Sequence, residues 1–70
     1  MAFTPAELQM VDDHIAQGER HVAEQEELVE RLRSHGHPTD MAEDLLAEFR
    51  ATLVQHRAHR ARIVEDRSIP

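Results

Sequence analysis

Cysteine is absent from this 70-residue chain, which excludes disulfide staples and thiolate metal sites. Lysine is absent too, all eight basic residues being arginine, so Schiff-base chemistry and the usual phosphate-binding loop are removed. Basic charge is outnumbered, with 14 acidic residues and a formal net charge of -6. Such a balance argues against nucleic acid as a partner, because a basic surface is needed to replace condensed counterions. No apolar run approaches the ~18 residues that span a bilayer, and no signal-peptide pattern follows Met1. The expectation is a soluble, cytoplasmic protein without membrane contact. Ser34 and Ser68 sit at a turn and a tail, away from any base, so no nucleophile is assembled and no enzyme is expected.

Glycine and proline are rare, and they fall close together only in Ser34-His35-Gly36-His37-Pro38-Thr39-Asp40. Gly36 suits the left-handed residue just past a helix, and Pro38 forbids simple continuation. Thr39 or Asp40 can cap a second helix, with Glu43 at the reciprocal position if Asp40 is the cap. Helical periodicity on both sides predicts an all-α chain: a helix over about 5–34, a turn over 35–39 and a helix over about 40–66. So short a connection predicts an antiparallel two-helix hairpin occupying residues 1–70 as one domain. Phe3-Thr4-Pro5 with Glu7 and Leu8 reads as an N-cap, a first-turn proline, a capping box and a hydrophobic staple.

In the first helix the apolar seam advances by threes and fours through Leu8, Val11, Ile15, Gly18, Val22, Gln25, Val29 and Leu32. This heptad register is interrupted only by Gly18 and Gln25. The second helix offers a broader face of Ala42, Leu45, Leu46, Phe49, Leu53, His56, Ile63 and Val64. A two-helix seam needs only a narrow stripe, so the surplus predicts an external partner. A core this small supplies roughly 3–5 kcal/mol at most without reinforcement. The economical partner is a second copy, giving a homodimeric four-helix bundle; an unidentified protein partner is the other reading. The residues expected to carry packing and interface are Gly18, Gln25, Leu45, Leu46, Phe49, Leu53 and Ile63.

Folding about Gly36–His37 predicts that paired residue numbers sum to roughly 74. Gln25 then meets Phe49, Gly18 meets His56, Ile15 meets His59 and Val11 meets Ile63. The missing side chain at Gly18 is expected to make room for the His56 ring. Opposite charges support the antiparallel pairing, with Arg31 and Arg33 beside the acidic start of helix two. Arg57, Arg60 and Arg62 face the Asp12, Asp13 and Glu19 end. His14, Glu19, His56 and His59 fall at similar height, and zinc accepts such a set. A histidine/carboxylate metal protein is therefore the alternative to an interaction module. The structural reading of those histidines is hydrogen bonding to Glu19, Asp12 or Asp13 at the core margin. His14, His21, Leu28 and His35 also recur every seven residues along one edge of helix one.

The run His14-Ile15-x-x-Gly18-Glu19-Arg20, then Gln25, Leu28-Val29, Leu32 and Gly36, is similar to short bacterial two-helix proteins of unassigned function. Ala42-x-x-Leu45-Leu46-x-x-Phe49-x-x-x-Leu53-x-x-His56-x-x-His59-Arg60-x-x-Ile63 resembles the same group. The likeness covers about residues 14–63 and implies a hairpin fold, with no activity or cofactor attached. It directs attention to Gly18, Glu19, His56, His59 and Arg60.

Overall fold

A computed structural model describes residues 5–68, with side chains through Asp66. The expected N-cap at Thr4, the Phe3 staple and the tail at 69–70 lie outside the described residues. Two helices, α1 (Pro5–Ser34) and α2 (Asp40–Ser68), pack against each other. They form an antiparallel rod measuring 56 × 15 × 13 Å. Among the described residues there is no strand, and no helix is long and apolar enough to cross a membrane.

The turn is built as the glycine and proline require. Gly36 has φ 72°, a region open to glycine without a Cβ penalty. Its N–H donates to the Arg33 carbonyl at 3.1 Å, and the His37 N–H donates to the Leu32 carbonyl at 2.9 Å. Together these are the two bonds of a Schellman motif, which satisfies carbonyls that the end of α1 would otherwise orphan. Thr39 caps α2: its carbonyl accepts the Glu43 N–H at 2.8 Å. Glu43 stands one position too late for the reciprocal bond of a capping box. Its carboxylate instead accepts the Thr39 hydroxyl at 3.0 Å.

All eight seam positions of α1 are buried or half-buried, from Leu8 through Leu32. On α2 the matching positions are Ala42, Leu46, Phe49, Leu53, His56 and Ile63. Val11, Val29, Leu46, Leu53 and Ile63 form the buried core, and Ile63 is fully enclosed. Full burial of such side chains is worth about 1.5–3 kcal/mol each. The broad face of α2 is thereby divided. Leu46, Leu53 and Ile63 turn into the hairpin, whereas Leu45 and Val64 stay 41% and 39% exposed. Leu45 and Val64 lie on opposite sides of the seam, so they do not extend it into one wide surface.

The register differs from the expected one by about three residues. The three atoms nearest a Cβ at Gly18 all belong to Leu53, with Cδ1 at 3.1 Å. His56 packs its ring on His14, and Phe49 packs on His21, with centroids 5.2 and 5.3 Å apart. The room left by Gly18 is therefore taken by Leu53 rather than by the His56 ring, although Gly18 and His56 still border one groove. The physical reason lies in the turn. His37, Pro38 and Thr39 belong to neither helix, and non-helical chain advances up to ~3.3 Å per residue against 1.5 Å in a helix. The returning strand of chain thus descends further than a count of residues suggests.

Gln25 is the one buried polar side chain among the described residues, 8% exposed. Its Nε2 donates to the Ala42 carbonyl at 2.9 Å. Ala42 lies within α2, so that carbonyl has a helical donor as well and is not orphaned when Gln25 is removed. Gln25→Leu should accordingly be neutral or stabilising by up to about 1 kcal/mol in chemical denaturation. The same substitution should weaken register, because a seam amide disfavours slipped pairings. A loss above 2 kcal/mol would mean that the amide contributes net stability.

Candidate interaction surface

The heptad seam gives the rod two flanks of opposite character. On one flank, Asp12, Glu19, Glu26 and Arg33 recur every seven residues along α1, facing Glu43, Arg50 and Arg57 on α2. Arg33 pairs with Glu43 at 3.1 Å, Arg50 with Glu26 at 3.1 Å and Arg57 with Glu19 at 3.3 Å. Arg60 pairs with Asp12 nearest the open end. The pairing of Arg33 with α2's acidic start, and of Arg57 and Arg60 with Glu19 and Asp12, follows the charge pattern expected from the sequence. The Glu26–Arg50 rung did not emerge from that pattern, although the seven-residue spacing on each helix carries the signal. All partners are 41–57% exposed, so each rung contributes about 0–1 kcal/mol and acts on register more than on stability.

The other flank carries almost no charge. His14, His21 and Leu28 line it from α1, and Leu45, Thr52 and His59 from α2. His14, His21, Phe49, Thr52 and His56 line one shallow groove here, with Gln17 and Gly18. Phe49 and His56 are half-buried at its floor. Beyond it, helical geometry places Met10, Gln17, Glu24 and Arg31 on α1 and Met41, Glu48, Gln55 and Arg62 on α2. Met10, Met41 and Leu45 are 52%, 86% and 41% exposed. Three of the exposed large hydrophobic residues therefore share this side. The rim carries two acidic and two basic residues, so its charge balances.

The four residues expected to share a metal are split between the flanks. His14 and His56 come together, and His59 lies one turn along α2. Glu19 is on the charged flank, held by Arg57. No group of three or more His, Asp or Glu among the described residues stands where it could hold a metal ion. Helix geometry explains this: Glu19 follows the seam residue Gly18 and His14 precedes the seam residue Ile15, so the two leave the seam on opposite sides. Of the carboxylates expected beside the histidines, Asp12 pairs with Arg60 and Asp13 accepts Gln9 Nε2 at 3.0 Å. At the turn, His35 and His37 form a second ring pair with centroids 6.3 Å apart.

No family model, no curated protein and no solved structure matches the chain significantly.

Proposed function

We propose that this chain is a non-catalytic helical interaction module that pairs with a second copy of itself along the histidine flank, giving a four-helix bundle. The observation that carries this reading is the unequal treatment of the two flanks. Charged groups on one flank have partners within the chain and remain hydrated. The other presents Leu45, the Phe49 edge, Met10 and Met41 with no charge at its centre. Interfaces of stable complexes have such an anatomy, a charge-depleted centre enriched in aromatic residues and methionine within a polar rim.

Size and charge favour a second copy as the occupant. A flank of 56 × 15 Å offers roughly 800 Å², the area that each partner of a standard interface buries. Each chain carries a net -6, so two copies repel wherever acidic surfaces meet. The histidine flank is the approach along which that repulsion is least. Helix–helix contact there would also cover Phe49 and His56, which the hairpin leaves half-buried.

Sedimentation velocity tests the proposal. The native chain is expected to sediment as a dimer, and Leu45→Glu as a helical monomer, because the new carboxylates would face each other across the interface. Val54→Glu serves as the control: Val54 is 63% exposed on the other side of α2, and its substitution should leave the dimer intact. A native chain that stays a folded monomer at high concentration overturns the reading. So does a dimer broken by Val54→Glu and indifferent to Leu45→Glu.

A further inference from the structure

The geometry points to a four-histidine site for a tetrahedral divalent cation of the zinc class, closed between two copies of the chain by His14 and His56 of each. This inference rests on the pairing proposed above and adds a ligand to it. His14 comes from α1 and His56 from α2, and their rings stand 5.2 Å apart, tilted by 49°. An imidazole nitrogen binds zinc at about 2.0–2.1 Å, which places the ring centroid roughly 3.2 Å from the metal. Two rings in a tetrahedral set are then about 5.2 Å apart. The hairpin thus holds two imidazoles at the separation that a shared zinc requires, without any movement of the helices.

One chain supplies only half of a site. No third histidine or carboxylate among the described residues joins the pair to hold an ion. Both rings line the open groove on the histidine flank, the surface assigned to the second copy. If the dyad runs parallel to the rod, the two pairs face each other at equal height and complete four nitrogen ligands. Four neutral imidazoles leave the ion's charge uncompensated locally. The formal -6 of each chain supplies a field that draws a cation to the interface. The second ring pair, His35 and His37, is wider, at 6.3 Å, and belongs to the turn. It provides an internal control.

The test is titration of the full chain with zinc chloride, read by calorimetry and by sedimentation equilibrium. The expected result is one zinc per two chains and a dimer tightened at least tenfold. His14→Gln and His56→Gln should each abolish both effects, whereas a His35→Ala/His37→Ala variant should keep them. His14 is exposed, so its variant remains foldable even if that at His56 does not. Cobalt(II) in place of zinc should show the intense visible absorption of a tetrahedral site. A metal-free dimer that takes up no zinc would overturn the metal inference and leave the pairing standing. Uptake of one zinc per chain without tighter association, or uptake lost in the His35/His37 variant, overturns it equally. A chain monomeric in the absence of zinc and dimeric with it, but not after His14→Gln, would support the site and discard metal-free pairing. A chain monomeric in both conditions removes both.

Discussion

Ile63→Ala is expected to lower stability by about 2–5 kcal/mol, the cost of truncating a well-packed aliphatic side chain and leaving a cavity. Ile63 is 0% exposed, the most enclosed side chain of the core, and Val11 is 3% exposed at the same open end of the hairpin. No turn closes the rod there, so side-chain packing, with the exposed Arg60–Asp12 pair, resists splaying of the helices. A two-helix core of this size supplies roughly 3–5 kcal/mol in total. The variant should therefore be largely unfolded at 25 °C, seen as lost circular dichroism at 222 nm. Ile63→Val should cost only about 0.5–1.5 kcal/mol and keep the fold. Val54→Ala, at a 63% exposed position, should change stability by no more than about 0.5 kcal/mol. Phe49→Ala belongs between these limits, because the ring is half-buried and rests on His21. All four should be compared at one protein concentration, since association makes apparent stability concentration-dependent. An Ile63→Ala chain that melts with the native protein would remove the open end from the core.

The sequence made some of this structure legible and concealed the rest, for physical reasons. Helical periodicity was readable wherever one face is buried, so the α1 seam from Leu8 to Leu32 could be traced residue by residue. The bend was readable because few residue types tolerate what Gly36 and Pro38 do. Register was not readable to better than about one turn. It depends on how far the five residues between the helices, 35–39, travel, and backbone length in a loop is not encoded by periodicity. That slip decided one assignment: Gly18 faces Leu53 rather than His56. The width of α2's apolar face misled for a related reason. Adjacent Leu45 and Leu46 cannot both point inward, and only the seam of the opposing helix determines which does. What composition hid was the sorting of charge by flank. The net charge and the number of arginines contain no trace of it, but the recurrence of Asp12, Glu19, Glu26 and Arg33 at sevens does.

Gly18→Leu combined with Leu53→Ala is the experiment in which that register becomes measurable. Alone, Gly18→Leu drives a side chain into space already occupied: the first atom of the new side chain would sit 3.1 Å from Leu53 Cδ1, with Leu53 Cβ and Cγ at 3.8 and 3.9 Å. Overpacking of this kind costs about 1–3 kcal/mol, against a gain of about 1 kcal/mol for replacing glycine within a helix. The net loss is modest if Leu53 can shift and larger if it cannot. Leu53→Ala alone empties the same layer and should cost about 2–5 kcal/mol, since Leu53 is 6% exposed and truncation leaves a cavity. In the double variant the leucine at 18 occupies the volume vacated at 53, while helix propensity improves at both positions. Its stability should therefore exceed the sum of the single effects by about 1–3 kcal/mol, the range seen for residues in direct contact. Gly18→Leu paired with His56→Ala is the contrasting cycle. If the layer is Gly18 over Leu53, this second pair should couple more weakly than the first, because the three nearest neighbours of a Cβ at position 18 are all Leu53 atoms. Additivity in the first cycle with coupling in the second would move the helices by about one turn. The histidine pair that the proposed metal site requires would then be separated.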